Sequence, residues 1–367
     1  MSQHAGWGQH HPGPPVPPWG WVPRPPQPGV IPLAPLGTGD VIGGAFKAFR
    51  GYWKPLVGII LLVQGLGTLL VAAAIGITVA GIRPRLHAVF DVPAGEPAAP
   101  DDVASLLLYL APVGVLLLLT MALVGGVITT LAPAVIQEAV LGRPATFGAM
   151  WRRSWSRLPS VLGVLVCVGL LAGGPMLVLY AVFLPWAVTS GHAGVTALPA
   201  FLMVASLVAM PLAVWLTFRF SLAPAVAVCE GLGPIAAMRR SSHLVRGGWW
   251  RTFGIALLGY LLGMAIGYAI QLPFTFLGMF ALFPAMLASG EAGTPDSLLI
   301  GIVVYVVCIM LGTAVAAVVQ LGYPQLVLSL LYVDRRIRKE NLAEALLASV
   351  APAASAVPAG PYAEGPR

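Results

Sequence analysis

The chain has 367 residues, of which 58% are hydrophobic and only 9% charged, with a mean hydropathy of +0.88. Soluble domains carry about 25% charged residues, so a soluble globular enzyme is excluded, as is whole-chain disorder, which needs low hydrophobicity. What remains is a polytopic membrane protein, and its net charge of +7 points to anionic headgroups at basic loops rather than to nucleic acid.

Residues 1–36 differ from the rest. The run GWGQHHPGPPVPPWGWVPRPP is rich in Pro, Gly, His and Trp, carries one charge, Arg24, and lacks the apolar run of a signal peptide. Proline removes backbone donors and favours polyproline II, so this segment reads as a disordered cytoplasmic tail. It offers a Pro-rich ligand to a protein partner. His4, His10 and His11 belong to the same low-complexity run, and no metal site is assigned to them.

Residues 40–53 place Val41, Ile42, Ala45, Phe46, Phe49 and Trp53 on one helical face, with Lys47 and Arg50 on the other. Six membrane spans follow from the charge-free intervals, because crossing a hydrocarbon core of about 30 Å takes about 20 apolar residues. They cover about 56–80, 105–132, 161–188, 198–218, 252–284 and 298–323, with TSGHAG (189–194) dividing the third from the fourth. Two further basic amphipathic helices precede the later spans. One covers 146–158, with Trp151 and Trp155 beside Arg152, Arg153 and Arg157. The other covers 234–250, with Met238 and Trp249 beside Arg239, Arg240 and Arg246. A basic helix with an aromatic edge lies well in the headgroup plane. These six arginines are the sequence's best contacts for anionic lipid or a partner, against the plainer reading of topology anchors. Residues 334–367 read as a cytoplasmic tail. The fold class is all-α: six transmembrane helices in three hairpins, with basic amphipathic cytoplasmic helices.

With both termini inside, 18 of the 20 Lys and Arg residues fall on the cytoplasmic side and only Arg83 and Arg85 fall outside, where acidic loops hold Asp91, Glu96, Asp101 and Asp102. That asymmetry is the positive-inside pattern. Only three of the 20 basic residues are lysines, and Ala, Gly and Pro are abundant, as a high-GC bacterial genome would give. The expected location is therefore a bacterial cytoplasmic membrane.

The chain repeats itself. RGYWKPLVGIILL (50–62) and RGGWWRTFGIALL (246–258) match at 7 of 13 positions. LAPAV occurs at 131–135 and 222–226, each followed by an acid (Glu138, Glu230) and then by RRS (152–154, 239–241). Pro324 and Asp334 mark a third version. Three tandem hairpin units follow, each packing through small residues.

Catalytic constellations are missing from the sequence: it has no HExxH, no GxSxG, no Walker loop and no dinucleotide fingerprint. No cofactor, metal or catalytic residue is assigned, and Cys167, Cys229 and Cys308 form no CxxC. Arg219 is the one charge that interrupts the apolar run from Leu198 to Cys229. Either it snorkels to the inner interface, or it is buried and pairs with Glu138 and Glu230 in a vestibule ringed by Pro133, Pro224 and Pro324.

IPLAPLGTGDVIGGAFKAFRGYWKPLVGIILL (31–62) resembles the opening motif of the bacterial glycerophosphoryl diester phosphodiesterase membrane domain, and LYVDRRIRKENLAEAL (331–346) resembles its closing motif. The resemblance spans about residues 31–346. It implies a membrane module with a remote link to phospholipid or glycerophosphodiester handling. It implies no esterase, because the catalytic barrel fused to some members has no counterpart here, and it carries over no site residue. The leading expectation is a non-catalytic module whose basic cytoplasmic face engages anionic lipid or a protein partner. The alternative is a transporter of a small solute or lipid between the hairpins.

Overall fold

The computed structural model describes residues 29–32, 34–90, 100–189, 191–291 and 295–341. The described part is all α and contains no strand: α1 (Thr38–Gly51), α2 (Trp53–Phe90), α3 (Pro100–Val140), α4 (Phe147–Thr189), α5 (Gly191–Arg219), α6 (Ala223–Glu230), α7 (Pro234–Val245), α8 (Trp249–Glu291) and α9 (Pro295–Glu340). Six helices are long and apolar enough to cross a membrane, so the chain is an integral membrane protein. α2 pairs with α3, α4 with α5 and α8 with α9, which gives the three hairpins. α3 and α9 also contact each other and tie the first hairpin to the last.

Apolar sequence continues from Pro199 to Glu230, yet the helix stops at Arg219, and α6 begins after a short turn with Pro224 in its first turn. Pro224 thus opens a helix rather than kinking a span, as expected where a missing N–H removes no helical bond. Pro133 and Pro324 stay inside α3 and α9.

Burial is uneven along the bundle. Apart from Ala205, Cys308, Ala316 and Ala317, the buried hydrophobics form one cluster at one end, in the segment leading into α1, in α1, α6, α7 and the adjoining ends of the spans. This end also carries Arg152, Arg239 and the other basic residues and is called the basic end below. The far halves of the spans leave Leu69, Leu118, Val182, Val208 and Phe280 between 67% and 77% exposed. In a bilayer nothing drives such side chains inward, since lipid tails are as apolar as leucine. Helices of 41 to 46 residues measure about 60–70 Å, roughly twice the hydrocarbon thickness. The buried cluster occupies part of that surplus length.

Several sequence boundaries need correction. The tail set at 1–36 ends too late: Ile31 and Leu36 are fully buried, and the Val30 N–H donates to the Ala139 carbonyl at 3.1 Å. Gly29 lies so close to the Ala139 carbonyl that a β-carbon would overlap it. The C-terminal tail set at 334 begins too early, because α9 continues to Glu340 and Asp334 is fully buried. In both places the segments bind each other, a long-range pairing that composition does not reveal. The 146–158 helix is not separate but forms the start of α4. The 234–250 helix ends at Val245. Gly247, at φ +78°, turns the chain in the left-handed region open to glycine, and Trp249 starts α8. Residues 1–28 with their His and Trp, Asp91, Glu96, residues 342–367, and the side chains of Arg83, Arg85, His87 and His192 lie outside what the structure describes.

Candidate functional site

The basic end contains two ionic centres and, beside them, exposed arginines with no described carboxylate partner. The first centre is a clasp. Asp334, fully buried on α9, accepts from the Leu36 N–H at 2.9 Å, from Arg251 at 2.6 Å and from Arg338 at 2.9 Å. Arg251 and Arg338 also donate to the Leu36 carbonyl, at 2.6 and 2.8 Å. A buried carboxylate needs this much company, because desolvation costs several kcal/mol per ion unless hydrogen bonds replace the lost water. Next to it, the Arg335 guanidinium donates to the Gly248 carbonyl and to Thr252 Oγ1.

The second centre joins the repeats. Glu138 pairs with Arg153 at 3.2 Å, and Glu230 pairs with Arg240 at 3.1 Å. In each copy of LAPAV–acid–RRS the acid therefore meets the second arginine, and the serine that follows is buried (Ser154, Ser241). The third version departs from this: Asp334 uses Arg251 and the Arg338 one turn ahead. Glu340 extends the centre, holding Arg240 at 2.5 Å and Arg336 at 2.9 Å. Tyr332 donates to Glu230 at 2.9 Å and accepts from Arg336 at 3.1 Å. Burial works against the Arg240 charge, but Glu230 and Glu340 outweigh it and raise its pKa above the ordinary arginine value. A cavity of about 390 Å³ opens here, lined by Glu138, Arg153, Cys229, Tyr332 and Arg336 over an apolar floor that includes Pro133.

This cavity has Glu138 in its wall, and Glu230 adjoins it through Tyr332, but Arg219 does not line it. Arg219 ends α5 with its guanidinium stacked 4.7 Å over the Trp215 ring, and its carbonyl accepts from Ser241. The turn at 220–222 and the buried α6 separate it from Glu230. The reading in which it pairs with Glu138 and Glu230 is corrected, and a cation ending its helix beside an aromatic ring takes its place. Pro224 and Pro324 are not among the residues lining this cavity.

The six arginines of the amphipathic helices divide. Arg153 and Arg240 turn inward to carboxylates. Arg157 donates to the Gly231 carbonyl at 3.4 Å. Arg152, Arg239 and Arg246 are exposed, and no carboxylate partner is described for them. Lys339 and Tyr332 escaped sequence reasoning. Lys339 donates to the His243 and Arg246 carbonyls, both at 2.8 Å, closing the end of α7. Its position one residue after an arginine in an apparent tail gave no such signal. Among the described residues no group of His, Cys, Asp and Glu could hold a metal ion. No protein-family model, curated protein or solved structure matches the chain.

Proposed function

We propose that this integral membrane protein is a non-catalytic module of a bacterial cytoplasmic membrane, with its basic end in the cytoplasm, engaging anionic phospholipid there. The observation that carries this reading is the division of the arginines. Glu138, Glu230, Asp334 and Glu340 at the basic end are held by Arg153, Arg240, Arg251, Arg336 and Arg338. Arg152, Arg239 and Arg246 are left exposed at the level where spans begin and end. Each basic residue near an anionic surface contributes about 1 kcal/mol. Exposed Trp53, Trp155 and Trp250 supply the amphipathic rings that settle at headgroup depth. The resemblance to the glycerophosphoryl diester phosphodiesterase membrane domain supports the same reading. Its opening and closing segments, 31–62 and 331–346, are the ones joined by the Asp334 clasp to Leu36.

Brominated lipids test this. In vesicles, brominated phosphatidylglycerol should quench the interfacial tryptophans more than brominated phosphatidylcholine. Arg152→Gln with Arg239→Gln should narrow the difference, and salt should narrow it further. Equal quenching by the two lipids would overturn the proposal. Purified protein should leave glycerophosphodiesters intact.

One observation favours the transporter reading. A groove of about 430 Å³ lies between α2, α3 and α9, apolar except for Gln64, Thr68 and Thr120. Solute flux into liposomes that Gln64→Leu abolishes would shift the reading to transport.

A further inference from the structure

The carboxylates at the basic end are distributed selectively. Among the described residues, Asp40 accepts from the Gly37 N–H, and Glu138, Glu230, Asp334 and Glu340 hold arginines. None of them is described against Arg219 or the Arg246 guanidinium, at the corner where α5 ends and α8 begins; Asp334 serves Arg251 in the first turn of α8 instead. There Arg219 lies over Trp215, and the exposed Arg246 has no described partner for its guanidinium. A polar cavity of about 140 Å³ separates them, lined by Trp215, Arg219, Ser242, Val245, Arg246 and Trp249.

Three features make this cavity an anion site rather than a gap. Both of its charges are guanidinium groups, which match the oxygens of a phosphate. It abuts the first turn of the 43-residue α8, where free N–H groups and the helix dipole favour negative charge. The Trp249 indole N–H, in the wall, is buried and has no hydrogen-bond partner. Buried donors are normally satisfied by a partner, and none is described for this one.

A second observation fixes the kind of anion. Ser242 also lines an adjoining groove of about 520 Å³, whose other walls include Cys167, Leu170 and Leu171 of α4 and Phe220, with Arg239 beside them. This groove is almost wholly apolar. A polar pocket with two cations that shares the Ser242 wall with an apolar groove on a membrane span is complementary to a molecule that is anionic at one end and hydrocarbon along its length. A free phosphate would fill only the first part.

We infer that this corner holds one molecule of anionic phospholipid. Its phosphate sits between Arg219 and Arg246 and against Trp215 and Trp249, and an acyl chain lies along Leu170 and Leu171. The inference rests on the lipid reading above and adds a discrete site and stoichiometry to it.

Native mass spectrometry of the full chain in mild detergent, titrated with phosphatidylglycerol, with phosphatidylcholine of the same chains, and with inorganic phosphate, tests this. The expected result is one saturable phosphatidylglycerol per chain. Occupancy should fall roughly tenfold or more in R219Q/R246Q, the scale of losing two charge-assisted contacts. It should be unchanged in K47Q, an exposed basic residue of α1 outside the cavity. Leu171→Trp, which fills the groove, should weaken phosphatidylglycerol and leave inorganic phosphate unaffected. If the double variant is not monodisperse, R246Q alone decides, since the exposed Arg246 guanidinium supports no described contact. Phosphate binding as tightly as the lipid would reassign the corner to a soluble anion and overturn the inference. So would occupancy that R219Q/R246Q leaves intact. If the brominated-lipid preference persists while the retained lipid ignores these arginines, the site fails and the functional proposal stands. If the preference is absent, the functional proposal fails and the site fails with it.

Discussion

Asp334 joins the beginning and the end of the described chain. Its carboxylate is fully buried and accepts from Leu36, Arg251 and Arg338, so α1, the start of α8 and the end of α9 meet at one group. Asp334→Ala would leave two guanidinium groups without their counter-charge and the Leu36 N–H without an acceptor. Removing one partner of a buried pair costs about 3–5 kcal/mol. The expected result is a marked drop in thermal midpoint in detergent, followed by fluorescence-detected size exclusion. Asp334→Asn retains an acceptor for Leu36 and should fall between Ala and wild type. Asp40→Ala is the contrast. It removes only an exposed bond to the Gly37 N–H at 2.8 Å, at the start of α1, where a lost cap contact costs about 1 kcal/mol. Equal midpoints for Asp334→Ala and Asp40→Ala would show that the clasp contributes nothing to the fold.

Among the helices, the α8–α9 seam shows what holds apolar rods together where lipid competes for every apolar contact. Gly259, Gly263 and Gly267 recur every four residues and so share one face of α8. A β-carbon at Gly263 would stand 3.1 Å from the Pro324 ring, and one at Gly259 would stand 2.9 Å from the Val327 side chain. At Gly267 it would overlap the Gln320 side chain. Close backbone approach through small residues replaces the hydrophobic effect inside a bilayer. Gly263→Leu should force the helices apart and cost about 1–3 kcal/mol, the range for overpacking, read as unfolding at lower SDS in a titration. Gly254→Leu, on the same helix with open space around it, should leave the titration unchanged, and if both variants behave alike the seam is not what holds the pair. The seam also marks how far sequence reasoning reaches. The charge-free intervals gave six spans, because a bilayer admits few other arrangements for such runs, the internal repeat gave their pairing into hairpins, and the amphipathic pattern of 40–53 gave α1. The partners of individual charges were not legible. Arg152 and Arg153 are adjacent in sequence, but a helix sets neighbours about 100° apart, so one faces Glu138 and the other faces out. Arg239 and Arg240 divide in the same way. Asp334 read as the start of a tail because its partners, Leu36 and Arg251, lie far away in the chain.

Across the whole molecule, charge and burial are polarised along the same axis. The basic end is closely packed and tied by ionic centres, whereas the far halves of the spans expose their apolar side chains. If the basic end faces the cytoplasm, the arginines lie where positive charge is retained during insertion, and the ionic centres lie where water and headgroups can solvate their open sides. The opposite orientation would require carrying Arg143, Arg152, Arg153 and Arg157 across the membrane in a single short connection. Cysteine accessibility decides between the two. In a background with Cys167, Cys229 and Cys308 replaced by Ala, Thr146→Cys, exposed at the basic end, should resist a membrane-impermeant maleimide in intact cells and react in inverted vesicles. Asp101→Cys, exposed at the start of α3 on the far end, should do the reverse. Labelling of Thr146→Cys from outside intact cells would invert the topology and place the unpaired arginines on the wrong side to meet cytoplasmic-leaflet lipid. The lipid proposals would then have to be restated for the outer leaflet.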